Sequence, residues 1–244
     1  RNISQQQVAY IRHTSGSTGD PKWVMHNQKT ALVLAHSFMG SVPLHENDRV
    51  FLLNTFWHTL VHGTLARGAT LCLYDLRKDG FDRMGNWLKE NGVTVFSLVP
   101  SAFRRFCATL DQAEAIATIR AVILSGEMMS KPDIALARTC FGPGCKVANA
   151  YGCSELAHIA LYTFGEDEDV TGATMPAGYP TDGLNISIDK EPGESEEVGE
   201  IIVHGSHVTS GYWGREDLNE RTYLTDENTG EVIGFRTGDF GWID

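Results

Sequence analysis

The 244-residue sequence lacks a basic surplus, a membrane-length apolar run, a cysteine framework and any internal repeat or low-complexity tract. Each absence excludes something. With 20 Lys and Arg against 31 Asp and Glu, the formal net charge is −11. No basic field exists to displace counterions from a polynucleotide, so nucleic acid is excluded as a partner. No run approaches the roughly 18 apolar residues that a helix needs to cross a bilayer, so no membrane association is expected. The opening segment has no secretory-signal pattern. The five cysteines, Cys72, Cys107, Cys140, Cys145 and Cys153, form no C-x-x-C pair and have no ladder of histidine partners. Such an odd, scattered set reads as the reduced thiols of a cytoplasmic protein, not as a disulfide or zinc framework.

What is present is an ordinary globular composition, 42% hydrophobic and 21% charged. The apolar run Val8-Ala9-Tyr10-Ile11 leads into a Ser/Thr/Gly loop, and a helix is expected over residues 27–39. Short apolar runs at 49–54, 70–74, 93–98, 121–124 and 146–149 read as buried strands. Helical stretches at 60–67, 81–91, 102–110 and 132–140 alternate with them, and Gly92 stops the second. That alternation predicts an α/β fold with a largely parallel sheet and flanking helices. Beyond about Thr171 the texture changes to β-type runs at 184–188 and 199–204, separated by turns. We therefore expect an α/β subdomain over 1–172 and a smaller β-rich subdomain over 173–244. The acidic cluster at 194–197 reads as a solvated hairpin tip.

The densest chemistry lies in Thr14-Ser15-Gly16-Ser17-Thr18-Gly19-Asp20-Pro21-Lys22. Two glycines let backbone N–H groups turn inward, the hydroxyls add donors and the lysine adds charge, which together make a cradle for a polyphosphate. The Walker spacing is absent, and composition alone leaves a plain Ser/Gly linker open. The segment resembles the phosphate loop of the adenylate-forming superfamily, which includes acyl-CoA synthetases, luciferases and nonribosomal peptide synthetase adenylation domains. Three further pieces follow in that family's order. Asn149-Ala150-Tyr151-Gly152-Cys153-Ser154-Glu155 resembles its Y-G-x-[ST]-E motif, and Gly199-Glu200-Ile201 through Gly211-Tyr212 resembles its G-E-[IL] to G-Y segment. Phe235-Arg236-Thr237-Gly238-Asp239 resembles its [YF]-R-T-G-D motif.

The resemblance implies ATP and Mg²⁺ as cofactors and a role for each matched residue. Thr14, Ser15, Gly16, Ser17, Thr18, Gly19 and Lys22 would surround the phosphates. Thr18 and Glu155 would hold the metal, a hard-oxygen pair suited to Mg²⁺. Gly126 and Glu127 would flank the adenine on one side, and Asn149, Ala150, Tyr151, Gly152 and Ser154 on the other. Asp239 would accept hydrogen bonds from the ribose hydroxyls. Lys22, Thr18 and Glu155 would carry catalysis, which is attack of a carboxylate on the α-phosphorus with release of pyrophosphate. The expected partners are a small carboxylic acid and a thiol acceptor, either CoA or a phosphopantetheinyl carrier protein. Taken singly, Tyr151 also reads as core, Glu155 as a helix cap and Asp239 as a turn residue.

Aligned with the family through Arg67-Gly68-Ala69, the sequence is expected to line the acid pocket with Thr55, Phe56, Thr59, Ser97, Leu124, His158 and Ile159. Asn54-Thr55 stands where amino-acid-activating members place the aspartate of an F-D motif. An α-ammonium would go unpaired there, at a cost of several kcal/mol, so an acyl, aryl, hydroxy or keto acid is expected. Trp23 follows Lys22 where the family usually has glycine. His58 and His62 are four apart, but without a third ligand or an H-E-x-x-H pattern they do not read as a metal pair. The chain opens at Arg1 and stops five residues after Asp239. We therefore expect a core fragment without the family's N-terminal segments and its C-terminal lid with the adenylation lysine. A second reading stays open: a truncated module that binds ATP or acyl-AMP without catalysis.

Overall fold

The computed structural model describes residues 3–14, 21–41, 43–53, 58–111, 115–165, 168, 175–190, 198–205 and 208–243, with the side chains of 38–41 and 58 left aside. In chain order the elements begin with β1 (Val8–Thr14), β2 (Lys22–Asn27), α1 (Gln28–Ser41), β3 (Arg49–Leu53), α2 (His58–Ala66) and β4 (Thr70–Tyr74). Next come α3 (Leu76–Asp79), α4 (Met84–Glu90), β5 (Val95–Leu98), α5 (Pro100–Cys107), β6 (Ala121–Ser125) and α6 (Lys131–Phe141). The remainder is β7 (Lys146–Cys153), β8 (Ala157–Phe164), β9 (Tyr179–Pro180), β10 (Asn185–Asp189), β11 (Gly199–His204), α7 (Glu216–Thr222), β12 (Tyr223–Thr225) and β13 (Val232–Gly241). The chain divides into two compact units, one of Arg1–Leu34, Cys153–Ile159 and Pro180–Asp244, the other of Ala35–Gly152 and Ala160–Tyr179. The texture change expected near residue 172 and the acidic cluster at 194–197 lie outside the described residues.

The seven-stranded sheet has the order β4-β3-β5-β6-β7-β8-β9. Its first five strands run parallel, with Arg49 opposite Thr70, Val50 opposite Val95, Val95 opposite Ala121 and Ala121 opposite Lys146. Every residue of β5 and the first four of β6 are buried, as expected of strands covered on both faces. Strand alternation divides the core in two. Phe51, Phe96, Val122, Leu124 and Val147 pack with Met84, Leu88, Phe103, Phe106, Ile134 and Ala137 from α4, α5 and α6. Val50, Leu52, Val95, Ala121 and Ile123 pack with Leu60 and Val61 of α2.

At the amino ends of these strands Asp48 acts as a hub. Its carboxylate accepts from Arg120 Nε at 2.8 Å and Nη2 at 2.5 Å, from the Thr94 hydroxyl at 2.7 Å and from the His45 N–H at 2.7 Å. The starts of β3, β5 and β6 are thereby tied together. Burial alone would raise this carboxyl, but Arg120, the His45 N–H and Thr94 hold it down at about 2.

The local chemistry places the helices. Ser130 and Asp133 form a capping box at the start of α6, and Asp133 also takes a bidentate pair from Arg104 of α5 at 2.7 and 2.8 Å. The helix expected over 81–91 is shorter, because Asp75 caps a separate turn, α3, by accepting from the N–H groups of Arg77 and Lys78. Gly80 closes that turn, and α4 starts only at Met84.

The other unit is antiparallel. β1 and β2 form a hairpin, and β10-β11-β13-β12 form a four-stranded sheet. The segment 210–213 lies along the free edge of β2. Ser210 N–H donates to Met25 O, Met25 N–H to Gly211 O and Trp213 N–H to Trp23 O, at 3.2, 2.9 and 2.8 Å.

Candidate nucleotide and acid site

Hairpin register fixes the two ends of the Ser/Thr/Gly loop, because Thr14 and Lys22 are direct partners across β1 and β2. Ser15, Gly16, Ser17, Thr18 and Gly19 lie outside the described residues. Alternation along β2 points Lys22 and Val24 to one face and Trp23 to the other. Trp23 is 46% exposed and meets His13 edge-on at 5.8 Å. It therefore stands on the face opposite Lys22.

On the Lys22 face, the ammonium sits 5.4 Å from the centroid of the Tyr212 ring, a cation–π separation. The Tyr212 hydroxyl in turn donates to Glu155 Oε1 at 2.6 Å. Tyr212 is 2% exposed and Glu155 8%, and burial beside the Glu155 carboxylate pushes the Tyr212 phenol well above its ordinary range. Lys22, Glu155 and Tyr212 come from three different motifs, and one side chain brings them together. Tyr212 belongs to the G-Y segment, and the motif by itself gives it no role at the site. Its role rests on a contact with a residue far off in sequence.

Tyr212 is itself held firmly. Its N–H donates to Asn219 Oδ1 at 2.7 Å, and Asn219 Nδ2 donates back to its carbonyl at 3.0 Å. Gly211, at φ +109°, permits this clamp, since a Cβ there would stand 2.9 Å from Asn219 Oδ1. The ring packs edge-on against Tyr223 at 5.5 Å, and Tyr223 packs against Phe235 at 5.2 Å.

Glu155 and Ser154 lie in the turn that joins β7 to β8, and Ala157 leaves it at φ +54°. A non-glycine residue there carries about 1 kcal/mol of strain. His158 and Ile159 follow, both buried. Burial lowers the His158 imidazole to about 4, which keeps it neutral at pH 7. Its carbonyl accepts from the Thr181 hydroxyl at 3.0 Å.

Asp239 lies near the end of β13, next to a bulge. Between the pairs Ile202–Arg236 and Glu200–Phe240, β13 advances four residues while β11 advances two. Gly238 takes φ +74° there, and such a bulge bends the strand and re-aims the side chain beyond it. Glu200 grips both sides of the turn, accepting from Arg236 Nη1 at 2.6 Å and from the Gly238 N–H at 3.1 Å. The third and fourth motifs are thus joined through one carboxylate.

In the parallel-sheet unit, Leu124 pairs with Asn149 and Ser125 with Ala150. Gly126, Glu127, Tyr151 and Gly152 therefore cluster at the carboxyl ends of β6 and β7, the usual ligand end of a parallel sheet. Asn149 Nδ2 donates to Pro176 O at 2.9 Å. Glu127 has a structural task that sequence reading missed. Its carboxylate accepts from the Ser101 N–H at 2.9 Å and the Ser101 hydroxyl at 2.8 Å, capping the first turn of α5. Ser97 is buried, with its hydroxyl donating to Ile123 O at 3.2 Å. Thr59 is buried near the start of α2, and Leu124 packs in the larger core. Thr55 and Phe56 lie outside the described residues, as does Asn54.

Among the described residues, no three His, Cys, Asp or Glu side chains gather to hold a metal by themselves, and no helix is long and apolar enough to cross a membrane.

The AMP-binding enzyme family matches residues 1–213. Bacitracin synthase 3 of Bacillus licheniformis is 30% identical over 97% of this chain and 4% of its own length. The 2-succinylbenzoate–CoA ligase of Geobacillus kaustophilus is 29% identical over 98% of this chain and 47% of its own. The chain thus spans less than half the length of either relative. The structure of O-succinylbenzoate coenzyme A synthetase from Bacillus subtilis, in complex with ATP and magnesium ion, shares the fold. The TM-score is 0.80 at 23% identity, over 99% of this chain and 49% of that one.

Proposed function

The chain belongs to the AMP-binding enzyme family, and on that premise we propose that it forms the core of an adenylate-forming ligase. The proposed reaction joins a carboxylic acid to ATP: a carboxylate oxygen attacks the α-phosphorus, the bond to the bridging oxygen breaks, and pyrophosphate leaves with the electron pair. The thiol of CoA or of a carrier protein then attacks the acyl carbonyl, the bond to the phosphate oxygen breaks, and AMP leaves as the thioester forms. The observation that carries this reading is the meeting of Lys22 and Glu155, from two motifs, on Tyr212 of a third.

Both reactants are anions, so the barrier is largely one of charge screening and alignment. Lys22 supplies a cation from the first position of β2, paired with Thr14 at the other end of the Ser/Thr/Gly loop. Glu155 offers one hard oxygen-donor side chain in a nearly water-free turn. That donor set fits Mg²⁺, which takes one or two carboxylates and completes its shell with phosphate and water. When bound, the metal supplies Lewis-acid screening of the phosphate charge. Gly126, Glu127 and Asn149 to Gly152 are assigned to the adenine and Asp239 to the ribose. The acid is assigned to the acyl, aryl, hydroxy or keto class.

The test is ATP–pyrophosphate exchange by the full-length protein across a panel of acids. Exchange with a non-amino acid, lost in Lys22→Ala and Glu155→Gln, is expected. Strongest exchange with a proteinogenic amino acid would sink the substrate assignment. ATP binding without exchange for any acid would favour the non-catalytic module.

A further inference from the structure

Lys22 and Glu155 carry opposite charges in one compact unit, yet among the described residues no ion pair joins them. Each meets Tyr212 instead, the ammonium on the ring face and the carboxylate on the hydroxyl. A direct ion pair would neutralise both groups before any ligand arrived. A neutral ring that holds each of them leaves the cation open to phosphate and the carboxylate open to a divalent metal.

We propose that Tyr212 is a positioning residue for the nucleotide site, which fixes Glu155 for the metal and keeps Lys22 from collapsing onto it. The proposal rests on the reading of Glu155 as the metal's carboxylate. The geometry suits the role on three counts. The hydroxyl–carboxylate contact is short and buried, so it is a charge-assisted bond in surroundings of low dielectric. The Tyr212 backbone is bridged to Val24 of β2, so the strand that carries Lys22 and the residue that holds Glu155 move together. The Asn219 clamp and the left-handed Gly211 set the ring's height with two hydrogen bonds, a rigidity that a ring serving only as filler does not need.

The experiment is calorimetric titration of the full-length protein with ATP, once with saturating Mg²⁺ and once with EDTA. The readout is the ratio of the two dissociation constants, because a purely structural loss raises both alike. Tyr212→Phe keeps the ring and its hold on Lys22 but deletes the hydrogen bond to Glu155. It is expected to weaken Mg²⁺–ATP binding about tenfold, the size of a lost hydrogen bond to a charged group, and binding in EDTA less than about twofold. Glu155→Gln, run in parallel, should collapse the wild-type ratio. If Glu155→Gln keeps that ratio, the metal reading itself fails. If Glu155→Gln collapses it and folded Tyr212→Phe keeps it, the positioning role alone is overturned. Should Tyr212→Phe not fold, the same ratio is read in Asn219→Ala, which frees the Tyr212 backbone. A wild-type ratio there overturns the inference equally.

Discussion

Replacing Asp48 with asparagine should loosen the parallel-sheet unit at the end opposite the candidate site. The side chain keeps its size but loses its charge, and its new NH₂ must face donors from Arg120, His45 or Thr94. Removing one partner of a buried ion pair costs about 3–5 kcal/mol. Arg120 is one-third exposed, so water relieves part of that, and about 2–4 kcal/mol is expected. For a chain of this size the melting temperature should fall by about 5–15 °C. The wild type supplies a second measurement. The Asp48 carboxyl falls from 3.8 to about 2 on folding, a stabilisation of about 1–2 kcal/mol once solvent screening is allowed for. Because the folded value is the lower, this stability is complete above the unfolded value and is lost as the pH falls towards 2. About half is gone by pH 3. Urea unfolding of both proteins at pH 7 and pH 3 tests this. The gap between wild type and Asp48→Asn should narrow by about 0.5–1 kcal/mol at the lower pH. A gap under about 0.5 kcal/mol at pH 7, or one that widens in acid, would refute the hub.

Four further outcomes follow from the geometry. The His158 imidazole, lowered to about 4, should show no protonation by NMR between pH 8 and 5.5. Its stability contribution of about 3 kcal/mol should be full above pH 6.5 and decline as the pH falls towards 4. Gly211→Ala should cost about 2 kcal/mol by urea unfolding, since the new Cβ faces both a left-handed backbone and Asn219. Glu127→Ala should cost about 1 kcal/mol through the lost cap on α5, so any effect on ATP affinity must be read at temperatures where the variant is folded. Asp239→Ala should weaken Mg²⁺–ATP binding about tenfold by calorimetry, read at temperatures where the variant is folded.

The parallel sheet was legible because β3, β5 and β6 are each apolar but for one residue (Arg49, Ser97 and Ser125), as suits strands covered on both faces. β2 was not. Its sequence, Lys-Trp-Val-Met-His-Asn, mixes a charge, an exposed tryptophan and a buried histidine, and it is a strand because β1 and the 210–213 segment supply partners. β8 hid for a different reason: Ala157 to Leu161 suits a helix as well as a strand, and its direction is set by the turn at Glu155. β13 contains three glycines and a bulge, so pairing with β11 and β12 decides its structure rather than propensity. α7 buries no residue fully, and its Asn219 is needed by Tyr212. At the site, motifs named Lys22, Glu155 and Asp239, whereas the bond between Tyr212 and Glu155 exists only in three dimensions.

The edge of β2 has a consequence for biosynthesis. Asn27 at its end bonds Ser210 Oγ, a residue 183 positions later, and the backbone partners 210–213 are just as remote. At ribosomal speeds of about 5–20 residues per second, that interval lasts roughly 9–37 s. Throughout it the nascent hairpin presents an unpaired strand edge bearing Trp23 and Val24, a template for adhesion to other chains. Until residues 210–213 have been made, the β1–β2 hairpin is thus the place where the growing chain is most open to adhesion.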